Sequence, residues 1–574
     1  MNISSYNFHA PSSLFFSWYD YILFGVMLSI SVLIGIYFGC FGTKQSTANE
    51  YLMGDKRMKP FIITMSLIAS HISGTTLLGL PADAYRYGGT FLLSGISMFF
   101  VVLATIYIYL PVFYNLQITS LYEYLELRFD NRTKKLVSLL YILYSFLILP
   151  LIIYAASLAV STATGLQMST IIPLVCTTCI FYTSIGGFKA VIWTDAFQCI
   201  ITQTSVIIVF VLGIKSVGGF TEICTRAIDS GRLDLFNFEF DITKRHSFWT
   251  IVIGVSFIWL SNTSVYQTCA QKFLAVSTLQ GAKLTVIFYG IGIVAIKAIC
   301  VLLGLVIYAN YHDCDPFTTK EVTSNDQLVP YFVMEVAKGA PGLAGVFTAG
   351  IMSSGLSGLS ANLNCLAGTI YVDFLAQFLP HISEKTKCGI LKLLVVVAGI
   401  VCLGMAFVMQ YLGGIIPLTI TFQAVTNGPI LGIFTLGLCV PRASAKAAFY
   451  GAIIGLISIS GIVVPAQYFQ SQGLMNDLPK PVSTENCTFY NQTLVPETVP
   501  NETFILFKIS YFFYSLIGSI VTLVVGLLIS FMDNSDFTVD EKLITPLAHF
   551  LLPENKKAEY RSVDAALKSL KHLK

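Results

Sequence analysis

Uncharged apolar runs of 18 or more residues recur along this chain from Trp18 to Met532. Each run is long enough to cross the hydrocarbon core of a bilayer as an α-helix, which needs roughly 20 residues. Charged residues make up only 11% of the chain, against about 25% in soluble domains, so no large soluble domain fits beside these runs. Outer-membrane barrels instead show alternating segments of about ten residues, and the sequence has none. The sequence therefore predicts an all-α, polytopic membrane protein.

The apolar runs predict thirteen spans, and the first run is too long to be the apolar region of a cleaved signal peptide. An odd number of spans places the two termini on opposite sides of the membrane. The predicted spans lie near residues 18–42, 60–83, 89–114, 135–163, 168–185, 190–214, 248–271, 282–309, 343–373, 387–411, 414–440, 446–468 and 507–532.

The distribution of lysine and arginine predicts the orientation, because cytoplasmic loops carry an excess of both. With the N-terminus outside, most of the 34 lysine and arginine residues fall on inside segments. Residues 1–17 are then extracellular, 533–574 form a cytoplasmic tail, and the loop 469–506 lies outside. This loop carries three Asn-X-Ser/Thr sequons, which agrees with an extracellular position and predicts glycosylation. The sequons begin at Asn486, Asn491 and Asn501.

Most of the 13 cysteines lie inside predicted spans, where we interpret them as small core residues. Three fall on predicted outside loops, namely Cys224, Cys314 and Cys487. An oxidising exterior permits one disulfide among these three, and sequence alone does not choose the pair. We favour Cys314 with Cys487, because both lie on large outside loops.

Several motifs of membrane enzymes, pumps and channels are absent from the sequence. It has no Walker A motif, which would indicate an ATP-driven pump, and no HExxH or GxSxG motif. It also lacks a TVGYG-like selectivity filter and the arginine ladder of a voltage sensor. No enzymatic activity is therefore predicted, and the remaining classes are secondary transporter, channel and sensor.

Three predicted spans are rich in small and polar residues, which is unusual in lipid because backbone groups there must be satisfied internally. Such spans are tolerated where helices pack closely or where the chain lines a watery cavity. Transporters use broken helices of this kind near the midplane, and all three spans fit that pattern. Tight packing alone remains an alternative for each, although two of the spans lie five apart, as in two inverted five-helix repeats. The three stretches are "SLIASHISGTTLLGLP" (66–81), "FIWLSNTSVYQTCAQK" (257–272) and "FTAGIMSSGLSGLSANLN" (347–364).

Five further stretches resemble the sodium/solute symporter family, and the similarity runs from about Tyr51 to Leu438. Within the family, the sequence is most similar to the branch of iodide, multivitamin and monocarboxylate symporters. The resemblance implies a leucine-transporter-type fold, with a ten-helix core at 60–440 built from inverted repeats at about 60–214 and 248–440. One helix at 18–42 precedes this core and two helices at 446–532 follow it. The stretches are "GLPADAYRYGG", "LPVFYNLQITSLYEYLELRF", "FYTSIGGFKAVIWTDAFQ", "FWTIVIGVSFIWLS" and "DQLVPYFVMEVAKGAPGLAGVFTAGIMSS".

The resemblance also implies that Na⁺ is the coupling ion, with no organic cofactor. The matching ligands are main-chain oxygens of Ala69, Ile72 and Ser354 and the hydroxyl of Ser357. Neutral oxygens of this kind suit sodium, which is a hard cation. Gly358 occupies the fifth position, where the family usually has Ser or Thr, so this chain offers four ligands and its sodium affinity or coupling is in question.

The substrate pocket implied by the resemblance has six positions, and Asp195 matches an acidic residue near the cytoplasmic sodium exit. An acid this deep in a membrane is usually functional, although pairing with Lys189 is an alternative for Asp195. One of the pocket residues, His71, replaces an aromatic residue usual in the family, so it is either a ligand or a spacer lining the cavity. The pocket residues are His71, Thr76, Ser94, Trp259, Gln267 and Thr419.

Lys297 lies in the middle of the eighth predicted span, in "GIVAIKAICVLL". It is roughly 18 Å from the nearer end of its helix at 1.5 Å per residue, too far for a lysine to reach the interface fully. A charged lysine facing lipid at this depth costs at least about 2.5–3.5 kcal/mol, so we expect it to face the bundle or water. Three interpretations remain. Lys297 pairs with a buried acid such as Asp195, fills space as a neutral amine, or acts as a functional cation that attracts an anionic substrate or replaces a second sodium.

These observations predict a sodium-coupled symporter of the plasma membrane that carries a small monovalent anion. A monocarboxylate is the first candidate, and a vitamin acid or iodide follows. The expected partners are sodium, the anionic solute and the lipid bilayer, with no nucleic acid. The alternative is a transporter-like sensor or an uncoupled ion or solute pathway, which the missing hydroxyl at Gly358 would favour.

Overall fold

The structure is a computed structural model that describes residues 16–41, 47–337, 341–409, 415–472, 479–485, 487, 504–533 and 539–552, with the side chains of 415–421 and 471 outside the described part. The long helices are α1 (Trp18–Ile36), α2 (Pro60–His71), α3 (Thr75–Tyr87), α4 (Gly89–Leu116), α5 (Asn131–Thr164), α6 (Met168–Val217), α7 (Thr250–Ser264), α8 (Gln267–Leu274), α9 (Leu279–Asn310), α10 (Leu343–Ile370), α11 (Glu384–Met409), α12 (Ile415–Cys439), α13 (Ala445–Ser471) and α14 (Tyr514–Met532). Shorter helices lie at Ala48–Met53, Glu123–Arg128, Phe220–Asp229 and Asn325–Val336.

Two of the three polar spans are broken helices. The axes of α2 and α3 meet at 63°, and Ile72 at the end of α2 has extended backbone (φ −88°, ψ 109°). The second break separates α7 from α8, where Tyr266 is also extended (φ −90°, ψ 125°). Extended residues cannot continue the helical hydrogen-bond ladder, so each break frees backbone groups inside the bundle.

The third polar span, α10, is a continuous helix, so the expectation of a break there is wrong. Three of its four serine hydroxyls donate to main-chain oxygens of their own helix, three residues earlier. Ser354 donates to Ile351 at 2.6 Å, Ser357 contacts the oxygen of Ser354 at 3.1 Å, and Ser360 contacts that of Ser357 at 3.2 Å. These three hydroxyls are thus satisfied without interrupting the helix, whereas the Ser353 hydroxyl has no hydrogen-bond partner among the described residues.

The glycines of α10 let it lie at the centre of the bundle. A Cβ added at Gly350 would lie 2.1 Å from the Ser205 hydroxyl of α6, and one added at Gly355 would lie 2.6 Å from the Ala156 Cβ of α5. Contacts this short are not possible, so these two helices approach α10 only because it has glycine there. As a result, almost every residue of α10 is buried.

Helix α6 has 50 residues and would measure roughly 75 Å if straight, about twice the thickness of a bilayer. Gly187 interrupts it with φ 55° and ψ −156°, between the two spans predicted at 168–185 and 190–214. In the described part of the chain, ten helices are long and apolar enough to cross a membrane, or eleven if α2 and α3 form one span. The count of thirteen stays a prediction.

The last two helices pack outside the centre of the bundle. Helices α13 and α14 contact each other and α12, and α1 packs against α6. Residues 479–485 contact the end of α3, where the amide of Lys480 donates to the oxygen of Arg86 at 2.8 Å. The sulfur of Cys487 is bonded to that of Cys314. The sequons at 486, 491 and 501 lie outside the described residues.

Candidate functional site

The two helix breaks open onto one central cavity of about 230 Å³. Both breaks contribute to its wall, and α5, α9, α10 and α12 complete it. The wall combines apolar and aromatic side chains with hydroxyls, amides and a single lysine. Small-molecule sites have this composition, in which a few polar groups orient the ligand within an apolar surface.

Three of the predicted pocket residues line this cavity, namely His71, Thr76 and Trp259. The His71 ring contacts the Leu67 oxygen through Nδ1 at 3.1 Å and the Cys269 sulfur through Nε2 at 3.3 Å. Both ring nitrogens therefore already have protein contacts, which favours the spacer interpretation of His71.

Two other predicted pocket residues lie away from the central cavity. Ser94 is buried on α4 and does not line it. Gln267 accepts a hydrogen bond from the amide of Leu121 at 2.7 Å and donates to the oxygen of Thr119 at 3.3 Å. Neither residue lines the central cavity, and Gln267 joins α8 to a loop instead. Their roles in substrate binding stay predictions. The side chain of Thr419 lies outside the described residues.

A group of amides at the cavity was missed by the sequence analysis. The Asn262 side-chain oxygen accepts hydrogen bonds from Gln423 at 3.1 Å and from Asn427 at 2.9 Å, which joins α7 to α12. Both Asn262 and Gln423 line the cavity. The signal was available, because an asparagine within a span must find a partner or face water.

The predicted sodium ligands come together between α2 and α10. The Ser357 hydroxyl donates to the oxygen of Ala69 at 2.9 Å and lies 3.1 Å from the oxygen of Ser354. Ile72 stands at the end of α2, where its backbone leaves the helix. The Ser357 hydroxyl thus lies within hydrogen-bond distance of two main-chain oxygens, and this set of neutral oxygens fits a hard cation.

Gly358 leaves open space beside this donor set. A Cβ added there would find its nearest neighbours at 3.7 Å, the Cγ2 of Ile152, and at 3.9 Å, the oxygen of Ser70. These are ordinary van der Waals distances. The packing around position 358 therefore does not require glycine, and the hydroxyl is missing only because the sequence has glycine there.

Asp195 is fully buried and is surrounded by donors. Its Oδ2 accepts from the hydroxyls of Ser66 at 2.7 Å and Ser70 at 3.2 Å, and lies 3.0 Å from the ammonium of Lys272. The hydroxyl of Ser360 lies 3.4 Å from Oδ1. Asp195 therefore ties α6 to α2, α10 and α8.

The pairing of Asp195 with Lys189 is wrong, since Lys189 contacts Glu50 at 2.8 Å. The pairing of Asp195 with Lys297 is wrong as well, because Asp195 forms its ion pair with Lys272. The sequence places Lys272 directly after the span predicted at 248–271 and does not show that it turns inward. Its orientation into the bundle follows from the break before α8, which hydropathy does not reveal.

Lys297 points into the central cavity from α9. Its ammonium nitrogen lies 4.2 Å from the ring centroid of Trp259 and 5.8 Å from that of Phe91. Among the residues that the structure describes, no carboxylate lies within ion-pair distance of it. A cation over an aromatic face gains about 2 kcal/mol or more when desolvated, whereas removing a charge from water costs several kcal/mol, so the aromatic contacts compensate only partly for the burial of Lys297.

The family model for the sodium:solute symporter family matches residues 51–455. The chain belongs to the sodium:solute symporter family. It is 36% identical over 553 residues to sodium-coupled monocarboxylate transporter 2 of Mus musculus, covering 94% of this chain and 88% of that one. It is 35% identical over 529 residues to sodium-coupled monocarboxylate transporter 1 of Homo sapiens, covering 89% and 87%. A putative sodium-dependent multivitamin transporter of Drosophila melanogaster is 32% identical over 567 residues, covering 95% and 93%.

Solved structures show the same fold. A Na⁺-coupled sialic acid symporter superposes with a TM-score of 0.76 at 23% identity, covering 91% of this chain and 99% of that chain. A transporter of the nucleobase-cation-symport-1 family superposes with a TM-score of 0.52, covering 85% and 95%. The predicted leucine-transporter-type fold and the family assignment are confirmed. This symporter-family chain is a secondary transporter and not an enzyme.

Proposed function

We propose that this symporter carries a small monocarboxylate into the cell together with sodium, and that Lys297 holds the carboxylate. The observation that carries the proposal is a cation in the central cavity with no carboxylate partner in the described part of the chain. An unpaired buried charge is costly, so the bound anion supplies the missing countercharge. The two relatives named monocarboxylate transporters support this choice of substrate.

The cavity favours a small organic anion over a larger vitamin acid. Its volume of about 230 Å³ lies below the roughly 300–1,000 Å³ of sites for drug-sized ligands. Hydrogen-bonding groups of Thr76, Asn262 and Gln423 lie on the wall with Lys297, and Ile148 provides apolar surface. A carboxylate with a short hydrocarbon tail uses both kinds of surface, whereas iodide has no tail to occupy the apolar surface.

The break between α2 and α3 adds to the attraction for an anion. Helix α3 starts at Thr75, and both Gly74 and Thr75 line the cavity. The free amides at a helix N-terminus carry partial positive charge, which favours a carboxylate nearby. Lys297 and this helix end therefore act on the same bound group.

We further propose that sodium binds to the oxygens of Ala69, Ile72 and Ser354 and the hydroxyl of Ser357. Ala69 and Ile72 belong to the end of α2, so the ion stabilises the same break that forms the substrate cavity. Binding of sodium then favours the conformation that binds the anion, which is the basis of coupling. Asp195 lies beside Ser66 and Ser70, earlier on α2, on the side by which sodium would leave toward the cytoplasm.

The proposed location is the plasma membrane, with the N-terminus outside and the C-terminus in the cytoplasm. The 469–506 loop is then extracellular and carries glycans at Asn486, Asn491 and Asn501. The disulfide between Cys314 and Cys487 suits this side, because the exterior is oxidising. Glycosidase treatment of the wild type and of a triple Asn→Gln variant tests the orientation, and an unchanged mass shift in the variant would contradict it.

Uptake of labelled monocarboxylates by cells that express the chain tests the function, with sodium present or replaced. Lys297→Met is expected to abolish uptake at normal surface expression, and Lys297→Arg to keep part of it. Lys283→Met is the matched control, since Lys283 lies on the same helix and outside the central cavity. Normal, sodium-dependent uptake by Lys297→Met would overturn the role of Lys297. Absence of uptake of any monocarboxylate by the wild type would overturn the substrate class.

A further inference from the structure

A second cavity of about 190 Å³ lies next to the central one. Five residues line both cavities, so they form the partition between them. They are Thr75, Thr76, Ile258, Lys297 and Gln423. Lys297 thus stands where the two cavities meet. Asp83 lines only the second cavity, and it lies near the end of α3 that we predict to face the outside. We therefore call the second cavity the outer cavity.

The wall of the outer cavity contains an ion pair between Asp83 and Arg245. The Arg245 Nη2 donates to the Asp83 Oδ1 at 2.8 Å, and His246 Nε2 lies 2.9 Å from the other carboxylate oxygen. The guanidinium also stacks near two rings, 4.5 Å from the centroid of Tyr87 and 5.1 Å from that of Tyr511. The pair joins α3, one half of the broken helix, to the segment that precedes α7.

We propose that the outer cavity is a capture site for the transported monocarboxylate, in which the carboxylate replaces Asp83 as the partner of Arg245 before it moves to Lys297. The proposal rests on the proposed function, because it takes the same anion as ligand. Asp83 acts in this site as an internal competitor that holds Arg245 in place when no anion is bound. The outer cavity thereby becomes a second binding site for the substrate, ahead of the central one.

The charges in the outer cavity favour an anion. Its lining includes one carboxylate, Asp83, and two basic side chains, Arg245 and Lys297, so the formal balance is positive. A guanidinium presents two parallel donors that match a carboxylate, which makes one carboxylate exchangeable for another of the same geometry. The Arg245 and Asp83 side chains are 17% and 14% exposed, so the pair can be reached from the cavity.

Initial uptake rates as a function of external monocarboxylate, at saturating sodium and scaled to surface protein, test the capture site. Arg245→Gln is expected to raise KM by about tenfold or more, the effect of losing a charged hydrogen bond, with kcat changed little. Asp83→Asn is expected to lower KM, because it removes the competing charge and keeps the shape. The control is Lys244→Gln, since Lys244 is next in the chain, pairs with Glu239 and does not line the cavity.

A purely structural ion pair makes a different prediction. In that case Arg245→Gln and Asp83→Asn, when they reach the surface, would shift KM in the same direction, since each breaks the same contact. A KM for Arg245→Gln equal to that of Lys244→Gln would also overturn the capture site. Opposite shifts of KM in the two variants support it.

A second pair of variants leaves the ion pair intact and decides the question if Arg245 and Asp83 variants fail to reach the surface. Ser515 lines the outer cavity from α14. Ser515→Asp introduces a competing carboxylate. Its KM is expected to be several-fold higher than that of Ser515→Asn, because the asparagine has nearly the same shape as aspartate but carries no charge. Equal KM values would overturn the capture site. Absence of monocarboxylate uptake in the wild type would overturn the proposed function with it, whereas uptake with unchanged KM values overturns the capture site alone.

Discussion

The ammonium of Lys272 lies 3.0 Å from the carboxylate of Asp195, and the two side chains are 2% and 0% exposed. Lys272 also donates to the oxygen of Ser66 at 3.1 Å, which leaves the ammonium almost completely surrounded by oxygen. Lys272 thus links α8, which follows one helix break, to α6 through the ion pair and to the middle of α2, which precedes the other break, through the hydrogen bond to Ser66. The ion pair and this hydrogen bond together connect the two broken spans to α6.

We expect Lys272→Met to destabilise the protein strongly, because it leaves Asp195 buried without a countercharge. Removing one member of a buried pair costs about 3–5 kcal/mol, and the double variant with Asp195→Asn should recover part of this loss. Thermal unfolding in detergent measures the effect. Lys189→Met is the comparison, since its partner Glu50 is partly exposed and the expected loss is about 1 kcal/mol or less. A double variant no more stable than Lys272→Met would contradict this account.

Ser357→Ala is expected to raise the sodium concentration for half-maximal uptake by about tenfold, with a smaller effect on the maximal rate, because it removes one ligand. Sodium activation curves at saturating anion measure this shift. Ser353→Ala serves as the control, since the Ser353 hydroxyl lies on the same helix, is buried and has no hydrogen-bond partner among the described residues. Identical sodium activation in the two variants would remove Ser357 from the site.

Gly358→Ser is expected to lower the sodium concentration for half-maximal uptake, because it adds a hydroxyl where the structure has space. The same sodium activation curves report the change. Gly355→Ser is the comparison, since its added Cβ would lie 2.6 Å from the Cβ of Ala156 and surface expression should fall. Unchanged sodium activation in a well-expressed Gly358→Ser variant would show that the missing hydroxyl does not limit sodium binding. It would also remove the support for an uncoupled pathway.

Alkylation of the native protein without reductant should leave Cys314 and Cys487 unmodified, because their sulfurs are bonded to each other. Both should react after reduction, and peptide mass analysis distinguishes the two states. Cys224 is a free and partly exposed thiol on another segment that we predict to be extracellular, and it serves as the internal control for reagent access. Alkylation of Cys314 and Cys487 before reduction would contradict the pairing.

Much of the architecture was predictable from the sequence, since long uncharged runs have few alternatives to membrane helices. The breaks in the second and seventh spans were also predictable, because glycine, serine and asparagine weaken a helix in lipid. The same composition gave the wrong answer for α10, where serine hydroxyls bond to the helix's own backbone. Composition indicates that polar groups need partners and does not indicate which partners they find.

The choice of partners was decided only by tertiary structure. Sequence position showed that Lys297 and Asp195 are both deep in the membrane, and from depth alone they were plausible partners. The helices are rotated so that Asp195 meets Lys272, 77 residues away in the chain, while Lys297 faces Trp259 and the cavity. The depth of a residue in the membrane follows from the length and composition of its span, and both can be determined from the sequence alone. The direction of a side chain around its helix depends on the packing of every neighbouring helix, and that exists only in the folded bundle.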